Sequence, residues 1–473
     1  MRTHYIDEPY LEFGRGQELC PRRGITEHDV YDTRLMARRD KILVGAVGTS
    51  EALAKLDRWI ERCATPIPAR LSEKPKLFPA FCGFNSNLGF KSQLILYEET
   101  TRPLNNSDIQ EIKDIPNWNQ RVEAAVELYC QQVEFLARYR VVDVIVCIIP
   151  DELFDLIAKG EVPPVEETID GNQLDDLYEH NCRRALKART MHLGRPLQLL
   201  RELSLDANAP EQQDEATKAW NFCTALYYKA NKTVPWKLVT NINRPAVCFA
   251  GIGFYRSRDK KALHTSLAQV FDELGNGLIL RGGQVDLSKD DRVPHLSAEQ
   301  AYTLLKRALD EYELALNNSP GRLVLHKSSN YNRDEMDGFQ QATKEMRVRT
   351  VDYVTILDTN LRLLRDGVYP PYRGTHIELD RSTHLLYTRG SVKYYETYPG
   401  KYVPQPLEVR LVETDESADV ICAEILGLTK MNWNTTQFDR KYPITIECAR
   451  KVGQIMKYVD PATEPQVSYS YYM

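Results

Sequence analysis

The chain has 473 residues, 42% of them hydrophobic and 27% charged, the make-up of a globular protein with room for two or three domains. Lysine and arginine number 61 against 66 aspartates and glutamates, a formal net charge of −5. That balance excludes a polycation that coats nucleic acid but leaves room for a local basic groove.

Residues 1–40 mix glycine, proline and charge without periodicity and read as an extended lead-in packed on the body or on a partner. KILVGAVG is a compact apolar strand followed by Thr49 and Ser50, either of which can cap the helix in EALAKLDRWIERC. Strands follow at SQLILYEE, VVDVIVCIIP and PLQLLREL, with helical patterns at 117–139, 177–189 and 212–230. The alternation predicts an α/β domain with a largely parallel sheet. NKTVPWKL and NINRP form the expected boundary, dividing 41–240 from 241–473. The second half restarts with AVCFAGIGFYR and continues through NGLILRGG, GRLVLHK, DYVTILDT, THIELD and HLLYTRG, with helices at 297–316, 415–427 and 445–458. The apolar, aromatic end VSYSYYM is expected to dock into the body.

The N-terminus lacks a signal-peptide pattern, and no run reaches the roughly 18 apolar residues of a membrane span. The ten cysteines include no Cys-x-x-Cys pair, so zinc ribbons and thioredoxin chemistry lose their usual support. Cys147 and Cys248 sit in apolar runs as small hydrophobes, and a reduced cytoplasmic setting is expected.

Two constellations carry chemistry. Arg183 and Lys187 share a helix face, Gln198 lies at the next strand, and Lys229 and Lys232 lie near a helix C-terminus. Converging from separate elements, such groups hold a terminal phosphate, although each alone reads more readily as a solvated face. A metal-dependent nuclease instead needs carboxylates at strand ends; here GIGF offers Gly253, and LVLHK ends in His326 and Lys327. Other signals are weaker. Gly282 and Gly283 read as a tight turn more readily than as a phosphate cradle, and VGAVGTS lacks the spacing and lysine of a Walker loop. Trp433 and the tyrosines of YYETYPGKY, near Lys393, Lys401 and Lys430, suit either base stacking or core packing.

The blocks RRALKARTMHLGRPLQLLRE, ALYYKANKTVPWKL, AGIGFYR, RLVLHKSSNYNRDEMDGF and EILGLTKMNWNTTQFDRKYPITIECARKVGQIM, in this order, make the chain resemble a short prokaryotic Argonaute. The resemblance implies a Rossmann-like MID domain at 41–240 and an RNase H-like PIWI domain at 241–473. It implies that a guide's 5′-phosphate meets Lys187, Gln198 and Lys229, with Arg183 where many members have tyrosine. The carboxylate of Met473 is implied to enter the same pocket, with Mg2+. Lys232, His326, Lys430 and Trp433 are candidates for further nucleic-acid contacts. Gly253, Lys327 and Arg450 fall on slicer-ligand positions, so no cleavage by this chain is implied; the glutamate finger is not placed near Arg281–Gln284. The implied partners are a small RNA guide, a single-stranded DNA target and an APAZ-containing effector of sirtuin-like, TIR or nuclease type. With the first two types, NAD is the effector's substrate, consumed in antiviral defence. Heterodimers are expected, with higher assembly on activation. Two other readings stay open: an endonuclease using carboxylates among Glu335, Asp337, Asp358 and Glu424, and a scaffold that only stabilises the effector.

Overall fold

The computed structural model describes residues 1–35, 38–157, 181–206, 213–239, 244–258, 261–270, 277–285, 293–367, 370–460 and 463–473, with the side chains of 34 and 266–270 left out. The lead-in holds β1 (Arg2–Tyr5), β2 (Leu11–Glu12), β3 (Gln17–Glu18) and α1 (Pro21–His28). The first lobe continues with β4 (Lys41–Gly48), α2 (Ser50–Cys63), β5 (Gln93–Pro103), α3 (Asn106–Lys113), α4 (Trp118–Tyr139), β6 (Val144–Ile149) and α5 (Asp151–Ile157). It ends with α6 (Cys182–Thr190), β7 (Leu197–Arg201), α7 (Glu215–Asn231) and β8 (Lys237–Leu238). The second lobe begins with β9 (Val247–Arg256), β10 (Leu263–Val270), β11 (Gly277–Val285), α8 (Ala298–Leu316), β12 (Arg322–Lys327) and α9 (Arg333–Glu345). It closes with β13 (Thr350–Asp358), β14 (Thr375–Glu378), β15 (Thr383–Leu386), β16 (Leu407–Glu413), α10 (Ala418–Leu428) and α11 (Ile444–Met456).

In the first lobe β5–β4–β6–β7 form a parallel sheet. Its central strand, VIVCII, is buried on both faces, as a strand between two helical layers must be. Thr49 caps α2 by accepting the Ala52 N–H at 3.1 Å, and the helix buries Ala52, Leu56, Ile60 and Cys63 at helical spacing. α2 and α7 cover one face, while α4 and α6 cover the other.

Among the described residues the second lobe is a sheet ordered β1–β14–β15–β16–β13–β12–β9–β10–β11, parallel at β9, β12 and β13 and antiparallel elsewhere. α8 and α9 pack on one face through Leu305 and Phe339. On the other face α10 and α11 contribute Ile421, Ile425 and Ile446. α11 lies so close to β9 that a Cβ on Gly251 would sit 2.3 Å from the Thr445 carbonyl oxygen. Gly251→Ala is expected to lower stability by about 1–3 kcal/mol, read as a lower urea midpoint, because two backbones must separate.

The lobes share a core. Tyr228 on α7 stacks on Trp433 at 4.9 Å, Trp236 Nε1 donates to the Lys430 carbonyl at 3.0 Å, and Trp433 Nε1 donates to the Trp236 carbonyl at 3.0 Å. The aromatic tail docks as expected: Tyr469, Tyr471, Tyr472 and Met473 are buried, and the turn at 469–471 packs against α7.

Several sequence expectations need correction. The lead-in is not merely extended: it contains α1, opened by Pro21. Gly282 and Gly283 lie inside β11 and not in a turn; a Cβ on Gly282 would meet Thr265 at 2.8 Å, so the bare backbone there permits close strand contact. The structure adds β10 and α9 to the predicted elements, and a capping box at Asn332 and Glu335 marks the start of α9. Residues 177–180 of the expected helix and 240–243 at the expected domain boundary lie outside the described residues.

Candidate functional site

Three elements bring cations together where the lobes meet. α6 starts at Asn181, whose side chain accepts the Arg184 N–H at 3.1 Å, and packs on α11, with Arg184 Nη1 donating to Gln454 at 3.3 Å. One turn separates exposed Arg183 from Lys187, which is 3% exposed. In β7 the register sets Gln198 beside Val146. Strand alternation turns Leu197 and Leu199 toward the α4 side and Gln198 toward α7, where Lys229 Nζ donates to its Oε1. Lys229 is fully buried in the last turn of α7.

The electrostatics of the two lysines are unusual. Burial holds both ammonium groups well below their ordinary pKa, and the charges that lower them further are positive: Arg183 and Lys451 act on both, and Lys229 also acts on Lys187. Lys451 comes from α11 in the other lobe, more than 200 residues along the chain, so no local spacing links it to the two lysines; Glu447, one turn earlier, holds it at 2.9 Å. Buried like charges with an amide beside them suit a compact polyanion with several acceptor oxygens. Lys232 belongs to a neighbouring arrangement. It ends α7 in the left-handed conformation and donates to the Tyr471 hydroxyl at 3.1 Å, which donates to the Gly194 carbonyl at 2.9 Å.

The strand-end positions are filled by cations and close packing. A Cβ on Gly253 would already lie 3.0 Å from Ala449 of α11. His326 is paired across the sheet with Gly251 and faces α11, with Nδ1 2.8 Å from Thr445 Oγ1, and burial pushes its pKa down to about 3. Lys327, one residue on, faces the opposite side. Its Nζ lies 2.7 Å from both oxygens of Glu335 and donates to the Asn330 carbonyl at 2.8 Å. Arg450 stands 4.4 Å over the Tyr442 ring and 3.7 Å from Asp358, which also accepts from Lys441 and Tyr442.

The four carboxylates of the endonuclease reading do not converge. Glu335 is sealed beneath Lys327, Asp337 is exposed on α9, Asp358 is held by cations, and Glu424 pairs with Arg322 at the opposite end of β12. His326, Lys430 and Trp433 also need correction as nucleic-acid contacts, because each is fully buried and held by the protein itself, His326 against Thr445 of α11. Lys430 is held by Glu8 and the Pro9 carbonyl, and Trp433 is sealed between the lobes. The neighbourhood of the unplaced glutamate finger, 286–292, lies outside the described residues. Among the described residues, the grouping able to hold a metal is His4, His376 and Asp419, at the far edge of the large sheet.

No protein-family model matches the chain. Over 136 residues, 28% of this chain and 18% of the relative, it is 26% identical to Protein argonaute of Aquifex aeolicus (strain VF5). Nearly the whole chain superposes on solved Argonautes. Clostridium butyricum Argonaute bound to a guide DNA and a 19-mer target DNA gives a TM-score of 0.69 at 14% identity, over 98% of this chain and 54% of that one. Aa-Ago with externally bound siRNA gives 0.62 at 16%, over 99% and 56%. Marinitoga piezophila Argonaute in complex with 5′ OH guide RNA gives 0.55 at 14%, over 100% and 59%.

The fold is that of an Argonaute MID–PIWI pair. The chain spans a little over half the length of the solved structures it matches. By fold, the first lobe matches the MID organisation and the second the RNase H-like PIWI organisation. The cation cluster lies between α6 and α7 of the first lobe and α11 of the second, and the strand-end positions lie across the sheet of the second lobe.

Proposed function

We propose that the chain binds a 5′-phosphorylated small RNA guide and senses complementary single-stranded DNA without cutting it. The observation that carries this reading is the pair of buried lysines, Lys187 and Lys229, acted on by further positive charge from Arg183 and Lys451. A terminal phosphate would set negative charge against the two buried lysines, and Gln198 adds a directional amide. The matched Clostridium structure holds a guide DNA and the Marinitoga structure a 5′ OH guide RNA, which supports a nucleic-acid guide as the ligand; the 5′-phosphate is argued from the buried lysines of this chain.

The PIWI positions support sensing over cleavage, since two divalent ions need several convergent carboxylates. Base pairing then supplies specificity while the protein holds the backbone. In this proposal the signal passes to an APAZ-containing effector of sirtuin-like or TIR type, which consumes NAD, within a cytoplasmic heterodimer that assembles further on activation. Mg2+ at the guide end belongs to the same proposal. The chain's own lysines and arginine suit phosphate and not a cation, so such an ion would take its oxygens from the guide and from the carboxylate of Met473.

The test is end-analysis of nucleic acid that co-purifies with the chain and its genomic neighbour, wild type against Lys187→Ala/Gln198→Ala. Enrichment of short 5′-phosphorylated RNAs in the wild type alone is expected. Equal carryover in both, or selection of 5′-hydroxyl ends, would overturn the pocket assignment.

A further inference from the structure

The PIWI sheet ends in a histidine cluster that plays no part in guide binding as proposed above. β1 pairs with β14 so that His4 lies directly opposite His376. α10 contributes Asp419 in its first turn and Cys422 almost one turn later. His4 Nε2 lies 2.7 Å from Asp419 Oδ1, His376 Nδ1 lies 3.2 Å from the same oxygen, and the two ring nitrogens are 3.0 Å apart. Three donor atoms from three separate elements thus form a triangle.

We propose that His4, His376 and Asp419 bind Zn2+ and that the ion clasps the N-terminal strand to the PIWI sheet. Two imidazoles and a carboxylate are donors that zinc accepts in tetrahedral sites. Metal–ligand distances of about 2.0–2.1 Å require donors about 3.3 Å apart, so the observed triangle need open only slightly. In the metal-free protein the facing nitrogens must share protons with one another and with one carboxylate oxygen; an ion replaces that crowded arrangement.

The surroundings have the form of a ligand support. His376 Nε2 lies 3.0 Å from His384 Nδ1 and 3.7 Å from Cys422 Sγ, which fixes the ring and leaves Nδ1 for the ion. His376 and His384 are buried, whereas the side chains of His4 and Asp419 are 41% and 67% exposed. The ion therefore has an entry path, and water completes its coordination. Because β1 is short and mostly exposed, a metal bond there adds a tether that four residues of strand pairing do not provide.

The experiment uses untagged full-length protein stripped with EDTA and titrated with Zn2+, with bound metal read by mass spectrometry and geometry read from the visible spectrum of Co2+. About one tightly bound Zn2+ per chain is expected, together with the strong absorption of four-coordinate Co2+ and Zn2+-dependent protection of β1 from limited proteolysis. His4→Ala and Asp419→Asn change exposed side chains and are expected to keep the metal-free melting temperature while weakening Zn2+ at least about 10-fold. Absence of tight Zn2+ in the wild type, or equal binding in both variants, would overturn the site. Guide loading is expected to be unchanged in both variants, so this result is distinguishable from failure of the phosphate pocket.

Discussion

Replacing Lys187 with methionine is expected to raise the melting temperature of the guide-free protein and, at the same time, to weaken binding of a 5′-phosphorylated guide by about 10- to 100-fold. The Lys187 ammonium is 3% exposed and feels Arg183, Lys229 and Lys451, so the empty pocket carries a desolvation cost and a repulsion that methionine removes at similar volume. With the guide present the same charge makes a hydrogen bond between ionised partners, for which about 1.5–3 kcal/mol is ordinary. The pH dependence has a definite sign. A lysine whose folded pKa lies below 10.5 binds fewer protons folded than unfolded between the two values. The free protein therefore gains stability as pH rises from the depressed value toward 10.5, and the variant shows less of that gain. Phosphate raises the lysine values, so guide binding takes up protons, measurable by calorimetry in buffers of different ionisation enthalpy. A variant that is less stable and binds the guide normally would show that Lys187 is a structural residue.

Glu8→Gln is expected to cost about 3–5 kcal/mol of unfolding free energy, because it strands two buried cations. Arg373 and Lys430 are both essentially inaccessible, and Glu8 meets them at 2.9 Å and 3.3 Å. Burial holds Lys430 down to about 8 even with Glu8 beside it. Glu8 itself is held below 4.5 by the two cations, so its contribution is present above that value and disappears as pH falls through the depressed one. Urea unfolding at neutral pH and along a series of falling pH below 4.5 reads both effects. Pairing Glu8→Gln with Lys430→Met is expected to recover part of the loss, since one stranded charge is removed. A loss under about 1 kcal/mol, the range of an exposed pair, would show that water reaches these cations. This lead-in contact, with β1 and the buried Leu11 and Phe13, makes residues 1–13 part of the folded body.

What the sequence determined by itself is local in origin. KILVGAVG and VVDVIVCIIP are apolar runs of strand length, Thr49 stands where a cap is needed, and Ser297 opens a long amphipathic helix. Periodicity and capping act over a few residues and survive without knowledge of the fold. The same is true of Arg183 and Lys187, which one helical turn places together. α9 shows the limit of such signals: Asn332 and Glu335 form a capping box, but Gly338 inside the helix weakens the helical pattern, and only the crossing with α8 gives that glycine its reason. A Cβ on that glycine would lie 2.1 Å from the Ala298 carbonyl oxygen.

Tertiary structure alone decided which charges meet and which way they face. Lys451 joins Lys187 and Lys229 only because α6 packs on α11. Lys430 and Trp433, which the sequence leaves open between base stacking and core packing, are buried, Lys430 against Glu8 and the Pro9 carbonyl and Trp433 between the lobes. Gly253 and Lys327 share one end of the PIWI sheet, but the register between β9 and β12 turns the lysine to the opposite face, where Glu335 waits. The physical reason is the two-residue period of a strand: a single step of register reverses every side chain, and pairing partners distant in the chain set that step.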